Sequence, residues 1–323
     1  MSHRLAVRAR AANNDVVRRA FYVWVIAAAA CTDLSGLATG GSDLDGSVRP
    51  KDAGADGAQN PDGKVPPPSR SCDSTSAFGP PVRVDQFDGT ADYVKGAILS
   101  PNELEVFYLK YNPPVSDWEL RHARREKVDD PWGTVVTIGL PMTPDGALSL
   151  TASGLKLYYW TVGSNFKTTR VSINVDTFVT PSKYDVTSGP QAHLVASDDM
   201  AYFSKVEGDA GFEKFLKRAT ANTGGFSLTA TTVPNVHQAT FSDERPILNT
   251  TETALYFSSN RPGGKGLADI WVSRRQSKQG EFGAPVHVPE LSTDEPDQIT
   301  WVSDDECRVF LDRASHVYLA KRQ

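Results

Sequence analysis

Three observations in this 323-residue sequence predict an all-β fold, a five-bladed β-propeller. Turn-forming clusters recur every 46 to 54 residues: Ser100-Pro101-Asn102-Glu103, Thr151-Ala152-Ser153-Gly154, Ser197-Asp198-Asp199-Met200, Asn249-Thr250-Thr251-Glu252 and Ser303-Asp304-Asp305-Glu306. Six residues past the start of most clusters comes an aromatic strand, as in Val106-Phe107-Tyr108, Leu157-Tyr158-Tyr159, Leu255-Tyr256-Phe257 and Val309-Phe310-Leu311; in the third copy Ala201-Tyr202-Phe203 arrives two residues early. Finally, the two ends match: Phe78-Gly79-Pro80-Pro81-Val82-Arg83-Val84 shares its pattern with Phe282-Gly283-Ala284-Pro285-Val286-His287-Val288, and no such strand follows Val317 to Arg322. The first strand is therefore expected to complete the last repeat, because pairing the termini removes two open sheet edges at once. Six blades is the alternative count.

Taken in order, the chain opens on an address. Arg18 and Arg19 precede an apolar run from Ala20 to Ala30 and then Cys31, the order of a basic n-region, a short h-region and a small-residue junction. Such a run is too short to span a bilayer as a helix. Ile26-Ala27-Ala28-Ala29-Ala30-Cys31 resembles the lipobox of bacterial lipoproteins, which implies lipidation at Cys31 and a signal peptide over residues 1–31. From Thr32 to Ala77 the chain is Gly, Asp, Ala, Ser and Pro with almost no large apolar residue, so it cannot bury enough surface to offset chain entropy. Residues 32–77 are read as a disordered tether, and residues 78–323 as the propeller.

The remaining chain is long enough for one sizeable domain, and a 39 % hydrophobic fraction supplies a core. A net charge of −5 without a basic stripe sets nucleic-acid binding aside. With Cys31 lipidated, Cys72 and Cys307 form an even pair in an oxidising compartment. Cys72 lies just before the first strand and Cys307 in the second strand of the blade that strand completes, so a disulfide between them would staple the ring.

Within each repeat the third strands are expected over Trp118 to Arg125, Thr168 to Asn174, Phe215 to Thr220, Ile270 to Arg275 and Val317 to Arg322, with fourth strands opening on Trp132, Phe178, Phe226 and Phe282. The fullest copy runs from Leu255 to Arg275, where two β-rich segments flank a loop holding Pro262, Gly263, Gly264 and Gly266. Tyr256 to Gly264, Asp269-Ile270-Trp271 and the turn at Ser303 resemble the WD-like repeat of the TolB-type propellers. That resemblance implies a fold-building role for these residues, no catalysis, and protein partners in the envelope.

Carboxylates collect before the innermost strands: Asp92, Asp243, Glu244, Asp294, Glu295 and Asp297. They are candidates to ring one mouth of the central channel together with Arg245, where acids can hold a cation or basic ligand; the alternative is that they fill turns by bonding nearby backbone. The glycine-rich loop adds Arg261 and Lys265 as candidate contacts. Of the six histidines, His193 and His237 lie near inner strands, and none has zinc-motif spacing. No metal or cofactor is expected. Serine-hydrolase chemistry is excluded, since no Gly-x-Ser-x-Gly occurs.

The sequence thus predicts a non-enzymatic, monomeric, lipid-anchored protein of the cell envelope, in the outer membrane or periplasm, that binds a protein or cell-wall component. The alternative is a glycan-active hydrolase using opposed carboxylates in the channel.

Overall fold

The computed structural model describes residues 72–87, 93–115, 117–140, 144, 148–161, 164–184, 191–196, 200–206, 214–222, 225–226, 230–238 and 240–322. The expected signal peptide, Cys31 and nearly all of the tether lie outside these residues. Among them are two 3-10 turns, Pro113–Val115 and Pro289–Leu291, and no helix long and apolar enough to cross a membrane.

Strand β1 (Val82–Arg83) comes first. Blade 1 is β2 (Val94–Leu99), β3 (Glu105–Asn112), β4 (Asp117–Arg124) and β5 (Val136–Ile138). Blade 2 is β6 (Leu148–Leu150), β7 (Lys156–Thr161), β8 (Ser164–Thr169) and β9 (Ser182–Tyr184). Blade 3 holds β10 (Gln191–Ala196), β11 (Met200–Val206) and β12 (Lys214–Asn222), with β13 (Gly225–Phe226) and β14 (Thr231–Thr232) both on β12. Blade 4 is β15 (Asp243–Leu248), β16 (Ala254–Ser259), β17 (Asp269–Arg274) and β18 (Val286–His287). Blade 5 is β19 (Gln298–Val302), β20 (Arg308–Arg313) and β21 (His316–Lys321), and β1 is its outermost strand. The protein is a five-bladed propeller, as the repeats predict.

Closure follows the match between the ends. Val82 pairs with Leu319 and Arg83 with Tyr318, antiparallel, and Phe78 bridges to Arg322. Cys72 and Cys307 are disulfide-bonded with Cα atoms 5.8 Å apart, across 235 residues of chain.

Side chains of the middle strands fill the seams between blades. Phe107 and Leu109 pack with Leu148, Leu157 and Tyr159 of the next blade, while Tyr256 and Ile270 pack with Val309 and Leu311. The aromatic residues of the repeat are therefore packing between blades.

In blades 1, 2, 4 and 5 one arginine ties the elements together. In the clusters that open blades 1, 2, 4 and 5, the fourth residue is left-handed: Glu103 (φ 59°), Gly154 (φ 69°), Glu252 (φ 56°) and Glu306 (φ 55°). Each turn closes by donation from that residue's N–H to the carbonyl of the first, at 2.8 to 2.9 Å. The first side chain then accepts from the amide five residues on, as in Glu105 N–H to Ser100 Oγ at 3.0 Å and Arg308 N–H to Ser303 Oγ at 2.9 Å. This is why Ser, Thr or Asn begins these four clusters.

At the end of the third strand, Arg125, Arg170, Arg275 and Arg322 each donate Nε–H to the carbonyl of that left-handed residue, at 2.9, 2.8, 2.6 and 2.8 Å. Their guanidinium carbons lie 4.1 Å over Trp132, 5.5 Å over Phe178, 4.3 Å over Phe282 and 3.9 Å over Phe78, the aromatics that lead into the fourth strands. The arginine also ends the strand. In blade 2 the hairpin closes at Thr161 and Ser164 and β8 stops just before Arg170, five residues earlier than the expected end at Asn174.

Two outcomes follow. Replacing Cys72 and Cys307 with Ser removes a constraint on a very long loop and should lower unfolding stability by about 3–5 kcal/mol; denaturant titration with and without reductant measures it. Arg275→Lys keeps the charge but loses the planar Nε–H donor and the stacking fork, and should lower stability by about 1–3 kcal/mol in the same assay.

Candidate functional site

The innermost strands β2, β6, β10, β15 and β19 line the channel. Ile98, Leu148, Ile247, Thr300 and their neighbours on these strands line a small cavity of about 60 Å³.

Two of the candidate acids lie at equivalent places, opposite Ser259 in blade 4 and beside Arg313 in blade 5, and both are fully buried. Asp243 accepts from Arg261 at 2.7 Å on one oxygen and lies 3.2 Å from His237 Nδ1 on the other. Arg261 also donates to the Val236 carbonyl and Ser259 Oγ, and its guanidinium lies over Phe257 and Trp271. Asp297 accepts from Arg313 Nε at 2.6 Å and from the Thr293 amide and hydroxyl. Both acids latch loops onto the sheet.

Asp294 and Glu295 are exposed in the turn before Asp297, and Glu244 is half-buried. Asp92 lies outside the described residues, as do the surroundings of His193. Lys265 reaches the carbonyls of Pro289 and Ser292 at 2.6 and 3.2 Å, while its amide and that of Gly266 donate to Asp269. The glycine-rich loop is thereby pinned around the Asp269 carboxylate. A Cβ at Gly264 would stand 1.9 Å from that carboxylate, which requires glycine there.

Arg245 differs from the other candidates. It occupies the bulge of β15, between the Glu244 to Ser258 and Ile247 to Tyr256 pairs, with φ 53°. The matching bulge of β2, between Lys95 to Leu109 and Ile98 to Phe107, holds Gly96 with φ 67°. The preceding blade bonds each bulge amide: Ser204 Oγ accepts from Arg245 N–H at 3.1 Å, and the Asp312 oxygens accept from Gly96 N–H at 2.9 and 3.1 Å. Arg245 Nη1 lies 3.9 Å from Asp312 Oδ2, its Nε is buried without a hydrogen-bond partner, and its side chain is 17 % exposed. Burial depresses its pKa, against the charges of Asp312 and Glu244.

Asp312 was not singled out by sequence reasoning. The available signal was an acid between Leu311 and Arg313 in a strand whose other members are largely apolar. Burial pushes its carboxyl up to about 6, against the opposing pull of Arg245, the Gly96 amide and Lys95.

A second cluster of acids and a histidine lies at the seam of blades 1 and 2. Ligand atoms of Glu105, His122 and Asp176 fall within 4.8 Å of one another. Arg170 donates to both oxygens of Glu105 at 2.8 and 2.6 Å, and Arg124 lies 2.9 Å from Glu105 and 2.7 Å from Asp176. Burial pushes the Glu105 carboxyl up, but hydrogen bonds from Arg170 and His122 with the charges of Arg170 and Arg124 outweigh it and hold it at about 2. Two guanidinium groups neutralise the acids a cation would need, so the cluster is an ionic seam between blades.

No family model matches the chain, and no curated protein matches it. Solved structures match it at low identity. It is similar to TolB from Acinetobacter baumannii (11 % identity, TM-score 0.41, 72 % of this chain and 55 % of that one) and to a putative TolB from Agrobacterium tumefaciens (12 %, TM-score 0.45, 69 % and 71 %). It is also similar to the catalytic domain of a GH62 α-L-arabinofuranosidase from Coprinopsis cinerea (10 %, TM-score 0.47, 77 % and 98 %). The chain thus spans about half the length of the Acinetobacter protein. Likeness at this level carries nothing about activity.

Because folding raises the Asp312 pKa, its ionised form opposes folding: the protein has its full stability below about 4 and loses part as pH rises through about 6. Asp312→Asn mimics the protonated acid. The variant should match the wild type near pH 4 and become relatively more stable by pH 8, by up to about 3 kcal/mol, in thermal melts across that range.

Proposed function

We propose that this chain is a non-enzymatic binding module of the cell envelope, lipid-anchored through Cys31, which recognises a protein or cell-wall component at the channel mouth. The observation that carries the reading is the state of Asp243 and Asp297, each held in a buried ion pair with an arginine of its own blade. Carboxylates so committed are poor acids, bases or nucleophiles, because protonation or attack would leave a guanidinium buried without its partner. Glycoside hydrolysis calls for two carboxylates about 5 to 10 Å apart across a substrate-sized opening. The cavity that the inner strands line holds about 60 Å³, which favours recognition at the mouth. Export to an oxidising compartment is supported by the Cys72–Cys307 bridge.

The test is incubation of the purified full chain with a panel of plant and bacterial wall polysaccharides, followed by a reducing-end assay. No release of reducing ends is expected. Turnover that Asp243→Asn or Asp312→Asn abolishes, in a variant whose melting curve shows it folded, would replace this reading with the hydrolase. Palmitate labelling of expressing cells should mark the wild type and not Cys31→Ser.

A further inference from the structure

The seam between blades 5 and 1 is built differently from the one before it. Between blades 4 and 5, the Tyr256 hydroxyl and Arg274 both donate to Glu306 at 2.6 Å, so the left-handed turn of one blade is bridged to the second and third strands of its neighbour. Between blades 5 and 1 the same three places hold Phe310, Lys321 and Glu103. Phe310 and Tyr256 are each the third residue of a second strand, and Lys321 and Arg274 each end a third strand. Phenylalanine has no hydroxyl to offer, Lys321 is exposed, and Glu103 is met instead by Arg308 at 2.6 Å. A cavity of about 330 Å³ opens at this seam, at the small end of ligand pockets, which run from about 300 to 1,000 Å³.

Its walls are of two kinds. Trp132, Trp301 and Phe310 supply three aromatic rings, with Leu99 and Leu319 beside them, while the exposed Gln86, Asp129 and Lys321 add an amide, an acid and a base. The charges of the lining balance, Glu103, Asp129 and Asp130 against Arg125, Arg308 and Lys321. A cation would meet three bases here and an anion three acids; a neutral ligand that both donates and accepts hydrogen bonds meets neither obstacle. We infer that this seam cavity is a saccharide-binding site, taking a neutral sugar whose ring face lies on the aromatic wall while its hydroxyls bond the polar groups. A pyranose presents C–H groups on its face and hydroxyls around its edge, which suits an aromatic surface with donors and acceptors beside it. Leu99 and Trp301 also line the small cavity on the inner strands, so the site adjoins the channel. The inference deepens the binding-module reading by naming its ligand class, and rests on it.

The probes are di-N-acetylchitobiose and cellobiose, both neutral, with deacetylated chitobiose as a cation and digalacturonate as an anion of the same size. Binding to the purified full chain is read by titration calorimetry and by indole fluorescence, which Trp132 and Trp301 report. At least one neutral dimer should bind saturably and shift the emission, and each charged dimer should bind more weakly. Val84→Trp places an indole in the cavity and should abolish binding. Gln86→Ala and Lys321→Ala change exposed side chains of the lining and should each weaken binding about two- to tenfold by removing one hydrogen bond. Melting curves establish that each variant is folded, and if Val84→Trp is not, the other two variants decide.

Sedimentation with insoluble chitin or cellulose identifies the source of the sugar: cosedimentation that the matching dimer competes away points to a wall polymer, and dimer binding without cosedimentation to a free saccharide. The inference is overturned if neither neutral dimer binds, if a charged dimer binds more tightly than both, or if the folded variants all bind as the wild type does. Absence of dimer binding would leave the binding-module reading standing. Release of reducing ends from polysaccharide, by contrast, would overturn that reading while leaving the measurements at the seam in place.

Discussion

Everything in this propeller hangs on an arginine at the end of a third strand. In four of the five blades its Nε–H caps the carbonyl of a left-handed turn residue and its planar face covers the aromatic that leads into the fourth strand, so one side chain joins the first two strands to the last two. The blades are then bolted to one another through the same turns. Arg308 of blade 5 reaches Glu103 of blade 1 at 2.6 Å, Arg170 of blade 2 grips Glu105 of blade 1, and Tyr256 and Arg274 of blade 4 meet at Glu306 of blade 5. Burial keeps the Tyr256 hydroxyl protonated, which makes it a dependable donor to that carboxylate. Buried ion pairs of this kind add little net stability over apolar packing but penalise misregistration severely, since one shifted strand leaves several charges stranded.

At the opposite end of blades 4 and 5 a different set of charges does the corresponding work. Asp243 with Arg261 and Asp297 with Arg313 hold the entry loops of adjacent inner strands, and Lys265 and Asp269 fold the glycine-rich loop down onto the connection that follows β18. The bulges of the inner strands re-aim the chain toward the axis, the usual effect of an extra residue in one strand. At one of them an arginine replaces the glycine its conformation prefers. The frame can tolerate such strain because clamps on both ends of the blade over-determine the strand between them.

Ring closure is the remaining constraint. A single short strand of two paired residues, Val82 and Arg83, completes blade 5, so the covalent link between Cys72 and Cys307 adds to a joint with few backbone hydrogen bonds. Arg322 joins the same corner: it stacks on Phe78, donates to the Ser76 carbonyl and pairs through its backbone with Cys307. The clamp arginine of blade 5 thus acts across the two ends of the chain, where its counterparts act within a continuous blade.

The sequence by itself determined the blade number, the strand order, the closure and the disulfide, because each depends on local chemistry repeated along the chain. Ser or Thr at the head of a turn, an aromatic six residues later and a basic residue ending the third strand recur whatever surrounds them. Only tertiary structure decided the fate of the charges. Asp243, Asp297 and Asp294 are the same chemistry in similar turns, yet the first two are buried against arginines and the third faces water, a difference set by residues 16 to 18 positions away and by the curvature of the sheet. Arg245 reads in sequence as one charge among several. Its left-handed backbone, its unpartnered Nε and its distance to an aspartate 67 positions on in the next blade exist only once the blades stand side by side.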